Sequence, residues 1–410
     1  MGNEGSTDRS SQIAEAFAEA LMEHSEGVES PQQEEPAAND ASKARASMLR
    51  EILKRGNDTS AAIPLEMLLT MYHNQFGINT QDTALPVLHA AIRNDKLRCA
   101  KVVLAHPEID VAVRTNKKES VLLLALKYAS DELCELLLAM PAVCAAVLSA
   151  TEDKVECMFA AAQRSSASVL MRMLTMEDAH MLDPAARGPK GCSLFVPLLL
   201  NPDFDDSHKQ ALDWLLARDD MRALLNIPAY LTPLVAACGR GWLQYVEALL
   251  EAGATPGAPC TDGETPLMRC SVCEDEDQGL VCATRLLQHD DAGTFVNATW
   301  KDTTALALAC HKGHARIVRL LLQHGASASM QCGHGTTPLA HAIRSHNSEE
   351  IVPLLLVRED VQRQLRAQSV AEPTHPIYAA MECDNRAALD ALLPFVSPQP
   401  SAVTTETDAS

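Results

Sequence analysis

Four stretches with one pattern lie in the second half of the chain and decide its fold. Residues 232–238 read TPLVAAC, residues 265–270 read TPLMRC, residues 304–310 read TALALAC and residues 337–343 read TPLAHAI. The first two begin 33 residues apart, as do the last two, while 39 residues separate the second from the third. Self-similarity at a fixed spacing of about 20–50 residues is typical of repeat proteins. The recurring spacing therefore indicates an array of similar units.

Each position in this pattern has a physical role at the start or end of a helix. The Thr hydroxyl accepts a hydrogen bond from a free N–H of the first turn, and Pro is favoured next because its φ is already helical. Small residues such as Ala236 and Ala309 allow two helices to approach closely. Gly253 stands after the second helix of its unit, where a left-handed residue is favoured. The pair Asp262-Gly263 then predicts a tight hairpin turn.

The pattern resembles the ankyrin repeat, whose hallmark is Thr-Pro-Leu-His-x-Ala in a unit of about 33 residues. The resemblance is strongest over residues 226–357. It implies an all-α fold, an ankyrin-repeat α-solenoid of helix pairs with short β-hairpin connections. It also implies a non-enzymatic scaffold or adaptor that binds a protein partner on the concave face of the array.

The array is predicted to occupy residues 80–396. Within it, residues 226–357 hold the best repeats, whereas residues 151–225 are degenerate and keep only the helical pattern, with longer loops. Residues 44–79 are predicted to form a helical cap, because the terminal unit of a repeat array must present a polar outer face.

The two ends of the chain differ in composition from the array. Residues 1–43 are predicted to be a disordered arm, because they are polar, acidic and contain proline. Within the arm, residues 10–24 have the period of a short amphipathic helix. Residues 397–410 are predicted to be a disordered tail.

Composition limits the classes of function. Of 410 residues, 47% are hydrophobic and only 4% are aromatic, which suits closely packed helices better than a β-sandwich. The formal net charge of −20 disfavours general binding to nucleic acid, because phosphate backbones attract Lys and Arg. The expected partner is therefore a protein.

Thirteen cysteines are scattered through the chain without an apolar leader at its N-terminus. This usage predicts reduced thiols and a cytoplasmic location. The longest apolar stretch, residues 136–150, is too short to span a membrane and contains Pro141.

Two clusters of potential metal ligands have alternative explanations. Cys260, Cys270, Cys273 and Cys282 include one CxxC pair, but Cys270 occupies a packed position of the repeat and Cys260 lies on the hairpin, so a zinc site is not predicted. Six histidines follow closely in sequence: His311, His314, His324, His334, His341 and His346. His314 follows Gly313, where the repeat uses His for structural hydrogen bonds, so the cluster is interpreted as part of the scaffold.

No signature of an enzyme is found. The chain lacks a P-loop, a Rossmann glycine motif, an HExxH motif and a GxSxG motif, and no cofactor is predicted. A catalytic thiol among the 13 cysteines remains an alternative, although no local sequence singles one out.

The predicted partner-binding residues lie in the best repeats. Trp300 is in a hairpin at a position that varies freely in the repeat pattern, and Trp is enriched at interface hot spots. The alternative is a ring folded onto the adjacent hairpin. The other candidates form a mixed basic and apolar set that suits an acidic or amphipathic segment: Lys301, Arg269, Lys312, Met330, Gln331, His341 and Arg344.

The N-terminal sequence MGNEGS fits the motif for N-myristoylation, with Gly2 as the acceptor. A single myristoyl chain gives only weak, reversible membrane association. A membrane-targeted adaptor, located through the acylated arm, is therefore the second hypothesis for the function.

Overall fold

The chain divides into two compact units. The computed structural model describes residues 53–54, 58, 61–62, 65–66, 86–148, 151–176, 182–368, 372 and 374–396. Unit 1 comprises residues 1–184 with 203–211, and unit 2 comprises residues 185–202 with 212–410. The predicted arm and tail lie outside the described residues, as does most of the predicted cap.

Unit 1 consists of helices that pack in pairs. Their bounds are α1 Val87–Arg93, α2 Leu97–Leu104, α3 Val121–Tyr128, α4 Asp131–Leu138, α5 Pro141–Leu148, α6 Thr151–Ala162 and α7 Ser168–Thr175. The first helices of the pairs, α1, α3 and α6, pack on one another in order, and the second helix α4 packs on α7. In the part of the predicted cap that is described, the Asp58 carboxylate accepts hydrogen bonds from the N–H groups of Arg98 and Cys99 at the start of α2.

Unit 2 is also built from helix pairs. The next helices are α8 Phe195–Leu199, α9 Asp206–Leu216, α10 Asp219–Arg222, α11 Pro233–Arg240, α12 Leu243–Glu251, α13 Pro266–Ser271, α14 Glu276–Leu287 and α15 Ala292–Phe295. After a hairpin come α16 Ala305–Lys312, α17 Ala315–Gln323, α18 Pro338–Ile343, α19 Ser348–Leu356, α20 Glu359–Ala367, α21 Pro376–Glu382 and α22 Arg386–Val396. Helix α9 crosses the boundary between the units, with residues 206–211 in unit 1.

Two rows of helices build unit 2. The first helices α8, α11, α13, α16, α18 and α21 each pack on the next, and so do the second helices α12, α14, α17, α19 and α22. Leucines of the second helices, such as Leu249, Leu286 and Leu321, are almost fully buried between the rows. This stacking confirms the predicted all-α ankyrin-type solenoid of helix pairs.

The capping threonines start the first helices as the sequence predicts. The side chains of Thr232, Thr265, Thr304 and Thr337 each accept a hydrogen bond from the N–H three residues further along. Pro follows three of these threonines at the first helical position. Gly253, with φ of 99°, has the left-handed conformation expected after a second helix.

The connections between pairs are of more than one kind. Antiparallel strands β1 Thr299–Trp300 and β2 Thr303–Thr304 form the only hairpin ladder among the described residues. Its turn residues Lys301 and Asp302 both have positive φ, which suits the twist of a two-residue hairpin. At the predicted Asp262-Gly263 turn, the backbone closes through a 2.8 Å bond from Cys260 N to Glu264 O.

Short extra helices follow every second helix pair, a feature the sequence analysis did not predict. They are α5, α10, α15 and α20, and they come after α4, α9, α14 and α19. Asn226 and Asn297 stand after α10 and α15. The amide of Asn297 donates to Gly325 O at 3.1 Å and accepts from Ser327 N at 2.8 Å, and Asn226 bonds Gly253 and Thr255 in the same way. Each of these side-chain amides therefore stabilises, by two hydrogen bonds, the turn after the second helix of the following repeat.

The core is built mainly from aliphatic side chains and thiols, with a few aromatic rings such as Phe195. All 13 cysteines are free, and only Cys383 is exposed. Among the described residues, no helix combines the length and the apolar character needed to cross a bilayer.

Candidate partner-binding face

One side of the first helices in unit 2 carries exposed side chains. Counted from each capping Thr, the fourth, seventh and eighth residues share a side, because residues three or four apart are neighbours on a helix. Six basic residues or histidines on α11, α13, α16 and α18, or directly after α18, occupy these positions and define what we call the basic face: Arg240, Arg269, His311, Lys312, His341 and Arg344. All six are exposed or half-buried, whereas most of the remaining residues of these helices are buried.

Contacts between neighbouring first helices occur at two places on the basic face. Arg269 lies over α11, so close that a Cβ added at Gly239 would be 2.9 Å from Arg269 Cγ. The rings of His311 and His341 stand edge to face, with centroids 5.8 Å apart. The pKa of His341 is lowered by burial and by the nearby His311 and Arg344. The structure thus brings together four of the predicted binding residues, namely Arg269, Lys312, His341 and Arg344.

The first helices of these pairs lack acids, whereas the second helices carry acids together with Arg285, Arg316 and Arg319. Helices α11, α13, α16 and α18 contain no Asp or Glu in a chain of net charge −20. Acids are found instead on the second helices of the same pairs: Glu247, Glu251, Glu276, Asp277, Glu349 and Glu350. The first-helix row therefore presents a locally basic surface on an acidic protein.

Two acids from neighbouring elements reach the basic face. Glu264 pairs with Arg269 at 3.0 Å, and Glu382 pairs with Arg344 at 2.7 Å. Neither Lys312 nor Arg240 forms an ion pair with any residue that the structure describes. Arg240 instead lies over the Trp242 ring, 4.9 Å from its centroid. These two cations are the ones available to an incoming carboxylate.

The hairpin with Trp300 lies beside the preceding turn. Trp300 Nε1 donates a 3.0 Å hydrogen bond to Asp262 Oδ2, and the Lys301 amine stands 4.3 Å from the centroid of the Trp300 ring. This is the alternative arrangement of the sequence analysis, a ring folded onto the adjacent connection, although the ring stays half-exposed. Burial raises the pKa of the Glu264 carboxyl, while Arg269 and Lys301 oppose that rise. Trp300, Lys301 and Arg269 thus lie close to the carboxylates of Asp262 and Glu264.

Met330 and Gln331 lie on the next connection along unit 2, which is linked to the hairpin by a 2.9 Å hydrogen bond from Gly333 N to Asp302 O. Met330 is half-buried and Gln331 is exposed. Among the described residues, no hydrogen bond, ion pair or ring contact joins their side chains to the basic face. The predicted acceptor Gly2 lies outside the described residues.

The histidines and cysteines that could have formed a metal site in unit 2 take part in the packing of the repeats. His314 Nδ1 lies 3.1 Å from Ser271 O, and burial lowers the pKa of its ring. Cys270 is fully buried against Cys238 of the preceding repeat, whereas Cys260 neighbours Thr232 and Glu264 on the connection. In the described parts of the chain, no three His, Cys, Asp or Glu side chains are grouped so as to hold a metal ion.

A His–Asp pair in unit 1 was not found from the sequence. His208 Nδ1 lies 2.6 Å from Asp205 Oδ1, and its Nε2 lies 3.1 Å from Arg164 O. Because both ring nitrogens are engaged, the ring has no free nitrogen with which to activate a nucleophile. The pair joins the start of α9 to the loop after α6, and no motif in the sequence could have indicated it.

Comparisons with known proteins agree with this architecture. The family described as ankyrin repeats, in three copies, matches residues 275–365. Ankyrin repeat and SOCS box protein 16 of Mus musculus is 34% identical over 116 residues, which are 28% of this chain and 26% of the relative. Ankyrin repeat and KH domain-containing protein mask of Drosophila melanogaster is 36% identical over 111 residues, which are 26% of this chain and 3% of the relative. The similarity thus spans about a quarter of the mouse protein and far less of the fly protein.

Proposed function

Because the chain is an ankyrin repeat protein, we propose that it is a scaffold or adaptor that binds a partner protein on the basic face and the Trp300 hairpin of unit 2. Ankyrin repeats are generally protein-interaction modules and are generally non-enzymatic. The observation that carries the proposal is the row of exposed side chains on consecutive first helices. Stacked repeats present an extended, preformed surface of this kind for binding.

The chemistry of the face supports a protein partner. Trp300 offers a large half-exposed ring beside the cationic Lys301, and Leu308 of α16 is also half-buried. Interface hot spots are enriched in Trp and Arg. Met330 and Gln331 extend the same proposal to the next connection. The free thiols support a reducing, cytoplasmic location.

The test is a photo-crosslinking residue placed at Lys312 of the full chain, with Glu251 as the matched control. Both side chains are exposed, but Glu251 lies on a second helix. We expect the same protein to be captured from lysate through Lys312 and through Lys301, and not through Glu251. The captured protein, once purified, should lose binding to the variant Trp300→Ala, Lys312→Glu while circular dichroism stays unchanged. Equal capture at Glu251, or full binding by the variant, contradicts the proposal.

The motif MGNEGS supports a second proposal, a membrane-targeted adaptor. Here myristoylated Gly2 sets the location reversibly, while the array selects the partner. Intact mass of the protein from its native cell is the test. An added mass of one myristoyl group at the N-terminus supports the proposal, provided that the variant Gly2→Ala lacks it. A free or acetylated N-terminus rejects the proposal.

A further inference from the structure

We propose that a cleft in unit 2 is a second binding site, which takes an arginine side chain from a segment of a partner protein. The cleft lies between the short helix α15 with its following hairpin and the connection at residues 255–265, and its volume is about 470 Å³. No described residue that lines it belongs to the basic face, and its charge has the opposite sign. The inference therefore goes beyond the proposed function and is tested independently of it.

The cleft opens where two neighbouring connections are not joined through their backbones. On one side, Thr261 N donates to Ala229 O of the preceding connection at 2.8 Å, and the hairpin is bonded to the connection after it in the same way. Among the described residues, no backbone hydrogen bond joins the turn at 260–264 to the hairpin at 299–304. A side chain can therefore enter between these two connections.

The lining of the cleft suits a side chain with an apolar stem and a polar end. Pro259, Phe295 and Ala298 supply carbon surface, while the hydroxyl groups of Thr294 and Thr299 are on exposed residues. Long charged side chains commonly bury their stems on apolar surface in this way. A volume of about 470 Å³ also falls within the range of about 300–1,000 Å³ that is usual for ligand sites.

Asp291 gives the cleft its charge. It is exposed and directly precedes α15, yet its side chain accepts no capping hydrogen bond from that helix. Its carboxylate forms no hydrogen bond or ion pair with any residue that the structure describes. Among the described residues that line the cleft, none is Lys, Arg or His. An uncompensated carboxylate in a protein of net charge −20 attracts a cation.

Arginine fits these features better than lysine or an apolar residue does. A guanidinium group can form two parallel hydrogen bonds with one carboxylate and still donate to a hydroxyl oxygen. Thr294 Oγ1 already donates to Asp291 O at 2.7 Å, so its oxygen is placed to accept an N–H. An apolar side chain would cover the carboxylate of Asp291 without a counter-charge, which is unfavourable.

The first experiment titrates the peptide acetyl-Gly-Arg-Gly-amide into the full chain labelled with ¹⁵N and deuterium. We expect saturable shifts of the amide signals of Thr294, Ala298 and Thr299, with a Kd of about 1 mM. The matched peptide with citrulline has nearly the same shape without the charge and should bind about tenfold more weakly. The peptide with lysine should also bind more weakly, because an ammonium group lacks the planar pair of donors.

The second experiment repeats the titration with variants. Asp291→Asn should weaken binding of the arginine peptide about tenfold. Asp290→Asn is the matched control and should leave it unchanged, because Asp290 is equally exposed but does not line the cleft. Thr299→Trp should abolish binding by filling the cleft without a change of charge. Circular dichroism of each variant shows whether the fold is kept.

The outcomes distinguish a specific site from general attraction to an acidic surface. Equal weakening by Asp290→Asn would mean that the peptide is attracted by overall charge, and equal affinity for the citrulline peptide would mean that the charge is not recognised. Either result overturns the inference, as do equal affinity for the lysine peptide and a lack of saturable shifts up to about 10 mM. Crosslinking at Lys312 tests the proposed function separately, since Lys312 is not part of the cleft.

Discussion

The first helices of the repeats in unit 2 are capped at their start by the hydroxyl oxygens of threonines. Thr304 is 2% exposed, and its hydroxyl accepts a 3.2 Å hydrogen bond from Ala307 N at the start of α16. The same bond recurs at the other capping threonines of unit 2. A lost cap leaves a buried N–H without an acceptor, so each threonine contributes to stability beyond its own packing.

We expect Thr304→Ala to lower the free energy of unfolding by about 1–2 kcal/mol. Thr304→Ser keeps the hydroxyl and should lose less than half of that. Urea unfolding followed by tryptophan fluorescence measures both variants. Equal losses for Ala and Ser would show that the methyl group matters and the hydrogen bond does not.

His89 makes the stability of unit 1 depend on pH. It is 1% exposed in α1, and burial lowers the pKa of its ring to about 4 from an ordinary value of 6.5. As pH falls below 6.5, the unfolded chain takes up a proton at this ring and the folded chain does not. Stability is therefore fully present above pH 6.5 and falls as pH approaches 4, by up to about 3 kcal/mol.

His89→Leu tests this dependence, because Leu cannot take up the proton. As the pH falls from 7 to 4.5, the free energy of unfolding of the wild type should fall relative to that of the variant. A difference that stays constant with pH would mean that His89 titrates alike in both states.

At the scale of elements, packing between the two helices of one pair limits side-chain volume at particular positions. Gly279 in α14 faces the end of α13, where an added Cβ would lie 2.6 Å from Cys270 O and 3.0 Å from Cys273 Cβ. Gly293 in the short helix α15 has no heavy atom within 4 Å of such a Cβ. Neither glycine has a positive φ. The two positions therefore differ in available space and not in backbone conformation.

Gly279→Ala should lower the free energy of unfolding by about 1–3 kcal/mol, because overpacking exceeds the gain in helix propensity. Gly293→Ala is the matched control and should be neutral or stabilising by up to about 1 kcal/mol. Chemical unfolding of both variants gives the comparison. A stable Gly279→Ala protein would mean that α13 and α14 move apart readily.

At the scale of the whole molecule, burial makes the thiols unreactive. Twelve of the 13 cysteines are buried, and burial raises the pKa of Cys99 and Cys282 to about 12 and that of Cys134 to about 11. Thiolate is the reactive form, so these groups should react slowly at neutral pH. Cys383 alone is exposed.

We expect an aromatic disulfide reagent at pH 8 to titrate one thiol rapidly in the native protein and all 13 after denaturation. Cys383→Ser should remove the rapid phase. A rapid phase that survives this substitution would reveal another reactive thiol and would favour the alternative of a catalytic cysteine.

The sequence alone determined the repeating architecture, because caps, helix starts and turn glycines are local signals that act within a few residues. It also singled out Arg269, Lys312, His341 and Arg344 as candidate binding residues, because they lie at variable positions of the repeat pattern. These predictions needed no knowledge of how one repeat meets the next.

Only the tertiary structure decided which neighbours those side chains meet. Asp262 receives the indole N–H of Trp300 from 38 residues away, and Glu382 pairs with Arg344 from the same separation. The extra helices after every second pair also escaped prediction, because α10, α15 and α20 have no side-chain cap at their start. Such features depend on contacts between repeats, and a local pattern contains no information about the partner on the next repeat.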